Sequence, residues 1–297
     1  MTIRLFASLF VNGVTMGMIY AMIAMGLILL IKAVGVLNFA QGDLLMIGAY
    51  ITCAFATDLS MPLYAMLPTA FVSFALLGVA FMLGTYWPLR KASYPVAPII
   101  ATMGASLVLS EGAVILFGSW PRTMPNLVKN AAGKVATFNL FGTKIQYQYI
   151  LIILAACLAM YLVYMLFERS YVGRMMQAAA QDKPAAELIG ISTLFTTGAT
   201  YMLVVVLIGF AGYMVAPIYT VTPSLSSLQL RAFAGTVIGG FGSIKGAILG
   251  CLLVGLTEAF ATVSFSSYKD AVVFTVLILF LLLRPQGIVK SRIGDKA

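Results

Sequence analysis

Long apolar runs separated by short polar clusters set the character of this chain. The runs cover Leu5–Ile31, Phe39–Ala56, Pro62–Trp87, Val96–Phe117, Tyr149–Phe167, Phe195–Ala216, Ala232–Phe265 and Ala271–Leu283, with Pro, Gly and charge clusters between them. A helix needs roughly 20 such residues to cross the bilayer core. The pattern therefore predicts an all-α integral membrane protein with about eight transmembrane segments, forming a single polytopic domain over 1–297. Leu5–Ile31 carries no charge, is too long for the apolar part of a signal peptide, and is followed by no small-residue cleavage site. Two runs do not read as simple spans. Phe39–Ala56 is short and opens on Gln41 and Asp43; Ala232–Phe265 is long but holds Gly239-Gly-Phe-Gly242 and Lys245 in its first half, a run that breaks a helix.

Charge orients the spans. With the 168–194 loop in the cytoplasm, Arg90 and Lys91 fall on the same side as Arg169, Arg174 and Lys183. The tail with Arg284, Lys290, Arg292 and Lys296 joins them only if an even number of crossings separates it from that loop. Phe195–Ala216 and Ala271–Leu283 supply two, so Ala232–Phe265 must enter and return, turning at its glycines. Broken helices are tolerated where they line a cavity or are buried in protein, and transporters put their pathways there. The 118–148 loop then lies on the periplasmic side, although it holds Arg122, Lys129, Lys134 and Lys144 and no acid. The count is nine basic residues inside against five outside (those four and Lys269), with Arg4, Lys32, Arg231 and Lys245 unassigned. The orientation of the N-terminus stays open.

Composition narrows the class further. The chain is 62% hydrophobic and 9% charged, with a mean hydropathy of +1.03, against about 25% charged residues in soluble domains. The net charge of +9 is scattered through loops, as topology signals are, and does not form a nucleic-acid surface. Cys53, Cys157 and Cys251 lie in apolar runs without metal spacing and read as small buried hydrophobes. Histidine is absent, which removes the usual zinc ligand, the commonest general base and histidine proton relays. Neither a metal nor a cofactor is expected.

Three groups of residues could carry chemistry. Asn38 with Gln41 three residues later has the form of an N-cap and its reciprocal partner, predicting a helix that starts at Asn38 with Asp43 in its first turns. Within the membrane such a helix start could face a carboxylate; at the bilayer surface it would be an ordinary cap. Glu111 and Glu258 are intramembrane carboxylates, each among small residues. A charge there costs at least ~2.5 kcal/mol and calls for a partner or a wet cavity. Arg231 and Lys245 are the candidate partners, and pairing is the expected role ahead of substrate contact.

The third group is a piece of soluble-looking chain between two spans. Arg174–Ala180 is a strong helix former; Asp182 can cap a second helix, with Pro184 in its first turn and Gly190 to end it. Two short helices with small faces, from Ala178 and Ala179 to Ala185 and Ala186, make a knob that fits a cleft. A linker hugging the membrane surface is the alternative. No Gly-x-x-x-x-Gly-Lys-Ser/Thr occurs, and no nucleophile–base set, so ATP hydrolysis by a P-loop and intramembrane catalysis are both excluded.

Four stretches, in order, resemble one known family over nearly the whole chain: Val36-Leu-Asn-Phe-Ala-Gln-Gly-Asp-Leu-Leu-Met-Ile-Gly-Ala-Tyr50, Gly173-Arg174 through Gly190-Ile191, Ala232-Phe-Ala-Gly235 through Gly239-Gly-Phe-Gly-Ser243, and Arg284-Pro-Gln-Gly287. The family is the membrane permease of ATP-binding-cassette importers for branched-chain amino acids, and the short length is similar to the shorter of its two permease types. The resemblance implies a permease that hydrolyses no ATP itself. Its partners would be a second homologous permease subunit, ATP-binding subunits and a periplasmic solute-binding protein, in a bacterial inner membrane. It makes Gly173–Ile191 the loop that docks on the ATP-binding subunits. It sets Asn38, Gln41, Asp43, Gly239, Gly240 and Gly242 beside the translocation pathway. The cargo would be a small apolar amino acid, although relatives on the same scaffold carry urea and short amides. Gln177 departs from the pattern, standing where the family usually has a basic residue. The rival is an ion-coupled secondary transporter loading a cation on Asp43, Glu111 and Glu258.

Overall fold

A computed structural model describes residues 3–89, 96–128, 135–140, 142–264 and 266–289. Arg90, Lys91, Lys129, Lys134, Phe265, Lys290, Arg292 and Lys296, which enter the segment and charge arguments above, lie outside the described residues. The apolar runs fold as α1 (Ile3–Val34), α2 (Gln41–Thr57) and α3 (Leu63–Phe81), which continues through a π-turn (Met82–Tyr86) into the short α4 (Trp87–Leu89). Then come α5 (Ala97–Phe117), a hairpin of β1 (Thr137–Leu140) and β2 (Thr143–Gln146), and α6 (Tyr147–Arg169). After α6 lie α7 (Tyr171–Gln181), α8 (Lys183–Leu188), α9 (Thr193–Val215), α10 (Leu228–Gly239), α11 (Ile244–Ser264) and α12 (Lys269–Leu283).

Among the described residues, seven helices are long and apolar enough to cross a membrane. Each of the eight apolar runs is helical. The two irregular ones fall short of a simple span: α2 has 17 residues, and Ala232–Phe265 divides into α10, with 12 residues, and α11, with 21. At 1.5 Å per residue α10 is roughly 18 Å long, well under the bilayer core. The break falls at Gly240–Ser243, where Gly240 and Gly242 take positive φ values of 105° and 99°.

The chain forms two compact units. The first comprises Met1–Met25, Asn126–Leu158 and Leu228–Ala297. In it α10 folds back on α11: a Cβ on Gly239 would strike the Gly246 carbonyl, and one on Gly250 would strike that of Gly235, so only glycine permits the approach. The last carbonyls of α10 do not go unpaired. Ile288 N–H donates to Ile238 O at 3.0 Å and Val289 N–H to Gly239 O at 3.1 Å, so the turn after α12 caps the short helix. The N-terminal half of α1 lies on α11 at Gly13 and Gly17, and Thr143 Oγ1 in β2 donates to Arg4 O at 3.1 Å. The 118–148 stretch, read above only as a loop, thus holds a hairpin that lies beside the start of α1. Its signal was Gly142, at φ 80°, between two four-residue runs.

The second unit comprises Gly26–Pro125 and Ala159–Ser227. Here α9 is the spine. A Cβ on Gly212 would strike the Leu45 carbonyl of α2, and the Phe74 ring of α3 lies over Gly209. At one end Arg122 Nη1 meets Asp58 Oδ2 at 2.6 Å, and Arg122 pairs its backbone with Val221. The hydrogen bond from Arg122, and a second from Thr57, hold the Asp58 carboxyl below the usual carboxylate range. Cys53 and Cys251 are buried as expected, but Cys157 is exposed on α6. An apolar run does not distinguish a face packed against the rest of the chain from an exposed one, and Cys157 lies on the second kind.

Candidate functional site

The start of α2 is a polar island built from two helices. The predicted cap is not formed. The helix begins at Gln41 with Ala40 at the N-cap and no side-chain cap bond, so the cap lies two residues later than the Asn38-x-x-Gln41 pattern suggested. Asn38 Oδ1 accepts instead from Ala40 N–H at 2.9 Å, holding the irregular chain just before the helix. The competing contacts come from α5: Phe39 N–H donates to Thr102 Oγ1 at 3.2 Å, and Ser106 Oγ donates to Asp43 Oδ2 at 2.5 Å. Thr102 and Ser106 are four apart and so share one face of α5. Asn38 and Gln41 are each 1% exposed. Even so, Asn38 Nδ2 and both ends of the Gln41 amide have no hydrogen-bond partner among the described residues. A buried polar atom left unpaired costs about 1–3 kcal/mol, so this island holds donors and an acceptor that the chain itself does not use.

A second polar cluster is fully paired. Glu258 of α11 receives Arg231 Nη1 at 3.1 Å, Lys269 Nζ at 3.2 Å and the Tyr20 hydroxyl at 2.5 Å. Arg231 reaches on to Asp270, with Nη2 and Nε at 2.7 and 2.9 Å from Oδ1. Two cations thus face two anions, with no net charge left in the group. It ties α1, α10, α11 and α12 together, and it answers the expectation for Glu258: Arg231 is a partner. Lys245 is not, because it is exposed just past the helix break. Glu111 finds no such partner here. It is exposed on α5, with no hydrogen-bond or ion-pair partner among the described residues.

Gly239 and Gly240 are buried between α11 and the turn that follows α12, where a Cβ on Gly240 would meet Val289 O at 2.6 Å. Gly242 is half-exposed beside them. These residues belong to the first unit, and Asn38, Gln41 and Asp43 to the second.

The 168–194 segment folds as two short capped helices. Ser170 Oγ accepts from Gly173 N–H at 3.0 Å to start α7, and Asp182 Oδ1 accepts from Ala185 N–H at 3.1 Å to start α8, with Pro184 in its first turn. Gly190, at φ 84°, ends α8: its N–H donates to Glu187 O and Ile191 N–H to Ala186 O, the pairing of a glycine C-cap. Gln177, the departure from the family pattern, donates through Nε2 to Phe167 O at 2.8 Å and so helps close the end of α6. Ala179 and Ala186 are 4% and 2% exposed; they pack on their own chain and are not an outward face. Arg174, Lys183, Pro184 and Ala185 point outward, and Leu188 and Ile189 at the tip are 88% and 76% exposed. Beside α8, a cavity of about 350 Å³ is lined by Tyr86, Trp87, Lys183, Glu187, Thr193, Leu194 and Thr197. Lys183 Nζ donates there to Tyr86 OH at 2.9 Å.

Residues 9–281 match the family described as the permease component of the branched-chain amino acid transport system. The chain belongs to that family. It is similar to the high-affinity branched-chain amino acid transport permease BraD of Pseudomonas aeruginosa, with 35% identity over 94% of each chain. It is also similar to LivH of Escherichia coli K12, at 31% over 93% of each. A more distant likeness is to LivM of the same organism, at 26% over 94% of this chain and 69% of that one. Among solved structures, PsaBC of Streptococcus pneumoniae in complex with Fab shares the fold, with a TM-score of 0.52, 13% identity, and 95% and 91% of the two chains covered. The protein is therefore a multi-pass membrane transport component and not an enzyme. Sequence reasoning missed several polar residues of this permease component: Thr102 and Ser106 on α5, Tyr20 on α1, and Lys269 and Asp270 at the start of α12. Ser and Thr in apolar helices usually bond back to their own helix, so nothing local marks the few that reach across.

Proposed function

We propose that this chain is one of two homologous membrane subunits of an ATP-binding-cassette importer in a bacterial inner membrane. It passes branched-chain or other small apolar amino acids, delivered by a periplasmic solute-binding protein, and separate ATP-binding subunits hydrolyse the nucleotide. The names of BraD and LivH support the cargo, and the likeness to LivM supports a second permease. Asn38, Gln41 and Asp43 line the pathway: the spare donors of Asn38 and Gln41 and the spare acceptor of Gln41 are what a zwitterion stripped of water requires. The glycine break at Gly239, Gly240 and Gly242 is the pathway element of the first unit in this reading.

The observation that carries the reading is the α7–α8 pair. Two capped helices between spans α6 and α9 present Leu188 and Ile189 outside the membrane, 88% and 76% exposed among the described residues. Gly173, Arg174, Ala178, Ala179, Asp182, Ala185, Ala186 and Gly190 build this element, and the ATP-binding subunits seat its tip in a cleft. Leu188→Glu and Ile189→Glu test it, since both side chains are exposed and the permease should fold unchanged. In the reconstituted complex these variants should lower co-purified ATP-binding subunits and stimulated ATP hydrolysis roughly tenfold. Unchanged assembly, hydrolysis and uptake would reduce the element to a surface linker. Labelled leucine should enter vesicles only with ATP and all subunits present. Uptake of urea but not leucine would move the cargo to short amides. Accumulation by this chain alone, without ATP, would mean an ion-coupled transporter instead.

A further inference from the structure

We propose that the exposed face of α5 is the seam against the second permease subunit, and that Glu111 meets a hydrogen-bond donor or cation which that subunit supplies within the membrane. The inference rests on the two-permease reading above. Among the spans of the described residues only the one that ends in α12 is less enclosed than α5, of which 11% is buried. The inner stripe of α5, at Thr102, Ser106 and Ala113, faces α2. Glu111 lies nine residues on from Thr102, half a turn away at about 100° per residue. It stands in the middle of the opposite face, among Ile100, Gly104, Leu107, Val108 and Ile115, all exposed.

Three surroundings could meet that face, and physics separates them. Lipid is the worst. Glu111 is roughly 9 Å from the nearer end of the span at 1.5 Å per residue, within hydrocarbon, where a lone carboxylate costs at least ~2.5 kcal/mol. A second copy of this chain fares little better. Two copies inserted in the same orientation hold every residue at the same depth, so a two-fold contact on this face sets Glu111 against Glu111. A non-identical permease carries no such constraint and can place a donor there. Gly104, two turns earlier on the same face, has nothing within 4 Å of where its Cβ would be. A small residue at that place lets a neighbouring helix approach closely, which would shield the Glu111 pair from lipid.

The test uses the co-expressed importer with both permeases and the ATP-binding subunits. A photo-crosslinking residue at Leu107 or Val108 should join this chain to the second permease. Glu111→Leu should lower co-purified second permease roughly tenfold, while Glu111→Gln, which still accepts hydrogen bonds, should lower it less. The yield of this chain should hold in both. Should Glu111→Leu depress that yield as well, the crosslinks decide alone. Crosslinks to a second copy, or to lipid only, would overturn the seam. So would ready modification of Glu111→Cys by a membrane-impermeant thiol reagent in the assembled importer, because the site would then be aqueous. If the wild-type chain brings down no second permease, the two-permease reading itself fails. If it does and the crosslinks are absent, only the assignment of this face fails.

Discussion

Gln41 and Arg231 show two opposite ways of placing a polar side chain inside an apolar helix bundle. Arg231 is matched on every side, by Glu258, Asp270 and Tyr20, whereas the Gln41 amide is enclosed with no partner at either end among the described residues. Their mutational signatures should differ accordingly. Arg231→Leu leaves Glu258 short of its guanidinium partner and should destabilise the protein by about 3–5 kcal/mol, read as a lower thermal midpoint in detergent. Arg231→Leu with Glu258→Leu should cost less than the two single changes added, since the buried Glu258 carboxylate is then gone and only the exposed Asp270 loses its guanidinium partner. Gln41→Leu removes an amide that makes no bond, so the thermal midpoint should hold or rise slightly. If the pathway runs past it, uptake should fall more than tenfold in the same protein. A loss of uptake only in proportion to lost folded protein would make Gln41 structural. Asn38→Leu is a weaker probe, because it also removes the acceptor of Ala40 N–H, at a cost of about 1 kcal/mol.

At the scale of elements, what could be read from the chain was what neighbours in sequence decide. Asp182, Pro184 and Gly190 announced α8 because each acts within one turn of itself, and Gly239–Gly242 announced the break for the same reason. The start of α2 failed the same test. Asn38 and Gln41 have the right spacing, but Thr102 and Ser106, 63 residues on, supply the deciding contacts. Which way an apolar face looks was equally hidden: Cys157 looks outward and Ala179 inward, and hydropathy is the same for both outcomes. The orientation of α7 has a direct consequence. Ala179→Glu forces a carboxylate into an enclosed site and should cost this chain its own folded yield. Ala185→Glu is outward and should leave yield intact while weakening attachment to the ATP-binding subunits. Measuring membrane-inserted yield and subunit co-purification for both separates the effects. Equal yields would contradict the burial of Ala179.

Across the whole molecule, the path of the chain turns on α10 and α11. Charge parity asked this region to enter and leave without a net crossing, and the contacts within the first unit meet that demand at both ends. Arg231, in the first turn of α10, is bonded to Asp270 at the start of α12, so the approach to α10 and the exit from α11 share a level. The tip of the pair lies at the other end of α12, where Ile288 and Val289 cap α10. This geometry predicts that Gln286 and the glycine tip face one side of the membrane and that the starts of α10 and α12 face the other. Single cysteines make this measurable, because Ser227, Ser266, Lys245 and Gln286 are all exposed. An impermeant thiol reagent added outside intact spheroplasts should label Ser227→Cys and Ser266→Cys, while Lys245→Cys and Gln286→Cys should react only in inverted vesicles. Labelling of Ser227→Cys and Ser266→Cys from opposite faces would mean that the pair crosses once, and the bonded geometry of Arg231 with Asp270 could not then exist in the membrane.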